Sequence, residues 1–223
     1  MKIEIKDVSK TIKGTMVLRN ISLSLESGMI YGLQGKNGAG KTMLLRMLCG
    51  LILPSTGEVW FDNKKLGEDI SFPDSVGVLI ENPGFVANYS GLKNLKNLAS
   101  INDTIDEDTI KQLMYYFNLH PEDKKKVKNY SLGMKQKIGL ISALMENPKL
   151  ILLDEPLNAL DEESANKLLQ ILKERKEQGV LIVVASHDKE ELSFLADHMI
   201  TMKDGRVISR KKEEGYEEEK NKI

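Results

Sequence analysis

The stretch Gly35-Lys36-Asn37-Gly38-Ala39-Gly40-Lys41-Thr42 fits the pattern G-x-x-x-x-G-K-S/T at every required position. Glycines let a backbone wrap a triphosphate with several N–H groups pointing inward, and a helix starting inside the loop adds partial positive charge. In that arrangement Lys41 bridges the terminal phosphates and the Thr42 hydroxyl binds Mg²⁺. Lys36, Asn37, Gly38, Ala39 and Met43 complete the loop around the nucleotide. The competing reading is an ordinary glycine-rich turn. A buried strand before the loop and a helix after it argue for phosphate.

A second chemical signal is Leu150-Ile151-Leu152-Leu153-Asp154-Glu155-Pro156, an aliphatic strand running into two carboxylates. Asp154 suits a strand-end aspartate that holds Mg²⁺. Neighbouring strand residues point to opposite faces. Both acids therefore serve one site only if the strand ends there, which Pro156 favours. Glu155 then faces an attacking water as general base. Alone this segment also reads as a capping pair on a loop; beside the phosphate loop it gains weight.

The elements that must position these groups fall into three zones. From Lys2 to about Glu81 the chain is strand-rich: Ile3 and Ile5 alternate with polar residues, as do Ile21, Leu23 and Leu25. Met29 to Leu33 is apolar on both sides, the helix runs from about Gly40 to Cys49, and Gly50 suits its left-handed cap. Ser55-Thr56-Gly57 and Asp62-Asn63 read as turns around a strand from Glu58 to Phe61, and Val76 to Ile80 as a further strand. Residues from about Asn82 to Lys149 are helical, with Leu92, Leu95 and Leu98 on one stretch and Ile110, Leu113, Met114 and Phe117 on the next. A third helix, Met134 to Met145, stops before Asn147-Pro148. Strand and helix then alternate: Leu150–Leu153, Glu162–Glu177, Val180–Ala185 and Lys189–Ala196, with a hairpin of Met199–Met202 and Val207–Ile208 turning at Asp204-Gly205. Such alternation implies a mostly parallel sheet with ligands at the carboxyl ends of its strands. From Lys211 onward the Lys/Glu-rich chain reads as a frayed tail.

The expected architecture is an α/β phosphate-loop core with an N-terminal antiparallel β subdomain and an inserted α-helical subdomain. As a single domain it spans 2–210: core and β subdomain in 1–81 and 150–210, helices in 82–149, charged tail in 211–223. Composition narrows the class. With 223 residues, 41% hydrophobic and 29% charged, the chain suits a globular fold, and its net charge of −1 supplies no bulk field for nucleic acid. The basic run Lys124-Lys125-Lys126-Val127-Lys128 therefore reads as a solvated face. The single cysteine, Cys49, reads as a small core residue, and Trp60, Phe61, His120 and His198 read as packing.

Tyr130-Ser131-Leu132-Gly133-Met134-Lys135-Gln136 precedes Asp154 where a serine at a helix N-cap, followed by glycine, leaves free N–H groups facing an anion. With this stretch in place the chain resembles the ATP-binding-cassette ATPases over nearly its whole length, and in particular the bacitracin- and lantibiotic-type exporter subgroup. The resemblance implies that Ser131, Gly133 and Met134 bind the γ-phosphate of ATP held by the other subunit. Leu132 and Met134 depart from the commonest signature. It also implies that Asp161, in Asn158-Ala159-Leu160-Asp161, lies in a loop crossing the dimer interface, and that His187 contacts the γ-phosphate and orients Glu155. Pro54-Ser55-Thr56-Gly57-Glu58 matches the family's turn after the phosphate-loop helix. Glu81 stands where many cassettes carry a glutamine and would reach Mg²⁺ or its water. No aromatic occurs before Tyr31, so base contact falls to Ile12 and Val17, with weak discrimination between ATP and GTP expected.

The implied protein is the ATP-hydrolysing subunit of an exporter, using ATP and Mg²⁺. It would work as a homodimer, or as a heterodimer with a second cassette, docked on a separate membrane permease through the region from Glu81 to Leu95. It would be cytoplasmic, peripheral on the inner face of the cell membrane, touching the bilayer only through the permease. Two rivals are a soluble cassette ATPase in translation or DNA repair and a phosphate-loop kinase. Neither a second fused cassette nor a coiled-coil insertion is present, and a kinase would lack the Ser131, Asp161 and His187 partners.

Overall fold

Alternating aliphatic residues at the start of the chain should bury one strand face, and the computed structural model, which describes residues 1–81 and 84–212, bears this out. Strand β1 (Lys2–Ile12) pairs antiparallel with β2 (Thr15–Glu26), placing Ile3 opposite Leu25 and Ile5 opposite Leu23, all buried. Next come β3 (Ile30–Gln34), α1 (Lys41–Leu48), β4 (Thr56–Phe61), β5 (Lys64–Lys65) and β6 (Val76–Leu79). Helices α2 (Gly91–Asn102), α3 (Glu107–Tyr116) and α4 (Leu132–Leu144) follow, then β7 (Leu150–Asp154), α5 (Glu162–Glu177), β8 (Leu181–Ser186), α6 (Lys189–Ser193), β9 (His198–Lys203) and β10 (Arg206–Lys212).

One sheet has the order β2-β1-β4-β5 and is antiparallel; the other has the order β10-β9-β3-β8-β7-β6. In the latter only β10 runs antiparallel to its neighbour. Period-two geometry splits β7 between two cores. Leu150 and Leu152 join Ile3, Leu45 and Val59 beneath the antiparallel sheet, whereas Ile151 and Leu153 join Leu140, Leu144 and Leu168 beneath the helices. Both faces of the strand are thus apolar, and the only polar residues it can carry are at its end.

Several boundaries differ from expectation. Thr56 and Gly57 belong to β4 rather than to a turn. Gly57 has φ +79 beside a register shift between Lys6 and Ser9, where an added Cβ would lie 2.4 Å from the Asp7 and Lys6 carbonyl oxygens. Helix α4 begins two residues earlier than its apolar pattern, because the Ser131 hydroxyl accepts the Met134 N–H at 3.2 Å and caps it. Lys211 and Lys212 extend β10, since backbone pairing to Met199 and His198 requires no apolar side chain; the rest of the expected tail, 213–223, lies outside the described residues.

Candidate functional site

The parallel strands deliver four segments to one edge of the sheet: the glycine loop after β3, Glu81 after β6, Asp154-Glu155 at the end of β7, and His187 after β8. The loop is built by glycine geometry. Gly38 has φ +81 and Gly40 φ +102, left-handed conformations that a Cβ disfavours. An added Cβ on Gly40 would lie 3.1 Å from the Val17 carbonyl oxygen, so the loop packs directly on β2. Gly205 locks the other side, donating its N–H to the Ala39 carbonyl at 3.0 Å and accepting the Arg19 N–H at 2.8 Å.

The result is a cavity of about 580 Å³ walled by Lys36 to Met43, Glu81, Asp154 and Glu155. Lys41 is buried, its ammonium donating to the Gly35 carbonyl at 2.6 Å and standing 3.6 Å from Glu155 Oε1. The Thr42 hydroxyl donates to Asp154 Oδ2 at 2.5 Å. A hydroxyl and a carboxylate in contact beside a phosphate loop are the hard oxygen donors that suit Mg²⁺, an ion that takes few protein ligands and fills its sphere with phosphate oxygens and water.

Burial pushes the Asp154 carboxyl above the usual carboxylate range, with Glu155 and Glu81 pushing the same way against the Thr42 hydrogen bond and Lys41. In the ligand-free protein the ionised carboxylate therefore costs stability. A pKa raised on folding means that the cost sets in as pH climbs past the unfolded value near 4 and persists at pH 7. Asp154→Asn should accordingly raise the melting temperature of the ligand-free chain at pH 7. Parent and variant should converge below about pH 4 in scanning calorimetry.

Glu155 adopts φ +48, and its N–H donates to the Ala185 carbonyl at 2.8 Å, continuing the β7–β8 ladder past Asp154. That left-handed residue lets two consecutive acids reach one cavity, the geometry expected of a strand ending there. Its Oε2 lies 2.9 Å from His187 Nδ1, and the Ser186 hydroxyl donates to it at 3.3 Å. The backbone is held as well: Gln136 Nε2 donates to the Glu155 and Pro156 carbonyls at 3.2 and 3.0 Å.

Not every expected residue meets the cavity. Val17 lines it but Ile12 does not; Thr15, Met16 and Arg19 line it instead, with Asp204 and Gly205. The hairpin between β1 and β2 explains this, because Ile12 precedes the turn and its paired partner Thr15 follows it. Ser131, Gly133 and Met134 lie outside the wall, at the largely exposed start of α4. Asp161 also lies outside. It caps α5 by accepting from Ser164, and its other oxygen pairs with buried Lys137 at 2.7 Å, which together hold its carboxyl well below the usual range. His187 reaches the site through Glu155 and is exposed. Glu81 lines the wall and is paired with Arg46 at 2.8 Å.

Known proteins resemble the chain in sequence and in fold. The ABC transporter family matches residues 18–158. The ABC transporter ATP-binding protein YybJ of Bacillus subtilis is 42% identical, over 94% of this chain and 96% of its own. The bacitracin transport ATP-binding protein BcrA of Enterococcus faecalis is 36% identical, over 92% and 68%. The lantibiotic transport ATP-binding protein SrtF of Streptococcus pyogenes is 32% identical, over 96% and 93%. Among solved structures, a dimeric bacterial ABC transporter cassette is 27% identical with a TM-score of 0.85, covering 96% of this chain and 100% of that one. A dimeric ATP-binding cassette in a post-hydrolysis state bound to ADP and Pi is 25% identical with the same TM-score and coverage. By this match and these likenesses the chain belongs to the ABC transporter family as an ATP-binding, ATP-hydrolysing subunit.

Proposed function

We propose that this subunit powers export through a separate membrane permease by closing head to tail on a second cassette around two ATP molecules. The observation that carries this reading is the division of the site. Lys41, Thr42, Asp154 and Glu155 share one cavity, whereas Ser131 and Gly133 sit outside it on a capped, exposed helix start. A helix N-terminus of this kind presents N–H groups to an anion, and the anion it suits is the triphosphate of a partner. The bacitracin and lantibiotic transport relatives, and the dimeric cassettes, support the same reading. Among the described residues no helix is long and apolar enough to cross a membrane, so coupling would pass through protein contact with the permease on the inner face of the membrane.

Within each cavity the loop N–H groups and Lys41 hold the phosphates. Thr42 and Asp154 would hold Mg²⁺, with Glu81 near its water; the ion would neutralise charge on the phosphate oxygens. Glu155 accepts a proton as water oxygen bonds to the γ-phosphorus and the bond to the bridging oxygen of ADP breaks, giving ADP and phosphate. His187 fixes the Glu155 carboxylate at 2.9 Å. The base would rest on Met16, Val17 and Arg19 rather than on an aromatic ring.

The pairing is tested by introducing Asn37→Cys in the exposed loop and Ser131→Cys on the capped helix, in a Cys49→Ser background. Oxidative cross-linking between chains is expected only with Mg·ATP. A cross-link of equal yield without nucleotide, or none with it, overturns the head-to-tail arrangement.

A further inference from the structure

Four carboxylates stand on the wall of the phosphate cavity: Asp154, Glu155, Glu81 and, from the turn between β9 and β10, Asp204. Two have cationic or hydroxyl partners from the loop itself, Asp154 through Thr42 and Glu155 through Lys41. Glu81 has another partner. Its Oε2 lies 2.8 Å from Arg46 Nη2, and its backbone is held at φ +55, where a residue bearing a Cβ is disfavoured. Arg46 belongs to α1, the helix whose first turn carries Lys41 and Thr42. It does not line the cavity; Glu81 does.

An ion pair this exposed, with side chains 32% and 58% accessible, contributes little to folding. Its place at the rim of a polyanion site gives it another consequence. A carboxylate on that wall repels an entering triphosphate, and the repulsion is felt over several ångströms where protein displaces water. A guanidinium 2.8 Å from it converts the charge into a dipole whose field falls off much faster.

We propose that Arg46 is a positioning residue for nucleotide binding, holding the Glu81 carboxylate at the cavity rim and cancelling its charge against the triphosphate. Together the two side chains act as a neutral polar group at that rim. The proposal rests on the reading of the cavity as the ATP site, and the experiment separates the two.

ATP affinity of the full chain is measured by titration calorimetry in EDTA and again in Mg²⁺, for the parent, Arg46→Met, Arg46→Lys, Glu81→Gln and the double variant Arg46→Met/Glu81→Gln. Arg46→Met should weaken ATP binding about three- to tenfold, more in EDTA than in Mg²⁺ and less at high salt. Arg46→Lys keeps the charge and should stay within about twofold of the parent. In EDTA, where no ion engages Glu81, the double variant should return to parental affinity, because removing the uncompensated carboxylate removes the need for its partner. Parental affinity in Arg46→Met overturns the proposal, as does a double variant no better than Arg46→Met, which would mark Arg46 as a packing residue of α1. Absence of ATP binding in the parent would instead remove the reading of the cavity, and the proposal with it.

Discussion

Lys41→Ala is expected to eliminate ATP binding measurable by calorimetry. The ammonium is buried, rests 2.6 Å from the Gly35 carbonyl and stands 3.6 Å from Glu155, so it is the cation held inside the loop before any ligand arrives. Its removal deletes a charge-assisted contact to phosphate and leaves the acids at the end of β7 facing the polyanion. Truncating one partner of a desolvated charge pair costs about 2–5 kcal/mol, which is roughly 30- to 5,000-fold in affinity. The fold should survive, because Lys41 lies in the first turn of α1 and the apolar contacts of that helix come from Leu44, Leu45, Met47 and Leu48. Tight ATP binding by a folded Lys41→Ala chain would undo the assignment of the loop.

Glu155→Gln separates binding from chemistry. The amide keeps the shape of the side chain and can still meet His187 and Ser186, but it takes no proton from water. Loss of a positioned general base lowers the rate by about 10²- to 10⁴-fold. Lys41, Thr42 and Asp154 remain, so ATP should bind, and the pair of cassettes that hydrolysis would reopen should persist. Gel filtration with Mg·ATP should show a dimer for the variant and monomer for the parent after turnover. Phosphate release at the parental rate would take Glu155 out of the role of base.

What the residues foretold divides along local and non-local lines. The phosphate loop, the acid-terminated strand and the Ser131 cap were legible because each is a contiguous run whose chemistry and secondary structure agree. The same holds for β7, whose uninterrupted aliphatics require burial on both faces. Partners distant in sequence were not legible. Arg46 and Glu81 meet only because α1 and the end of β6 share an edge of the sheet, and nothing in either segment names the other. Gln136 reaches the Glu155 and Pro156 carbonyls across a helix–strand interface, and Lys137 finds Asp161 in the same way. The cavity wall contributed by β2 was legible only in part, for a similar reason. Apolar character singled out Ile12 and Val17, whereas the β1–β2 turn decides which residues face the loop; it keeps Val17, leaves out Ile12 and adds Met16 and Arg19. Strand β5 escaped notice because two lysines carry no strand pattern; their pairing with Trp60 and Phe61 supplies it.

The outer strand of the six-stranded sheet bears on colloidal behaviour. Among the described residues β10 has a partner on one side only within its sheet, and an open row of amides and carbonyls invites strand addition from other molecules. Arg206, Arg210, Lys211 and Lys212 are spread along it and exposed, so two such rims brought together would repel. On the proposed head-to-tail pairing with a second cassette, such a rim discourages zippering into filaments along a different orientation.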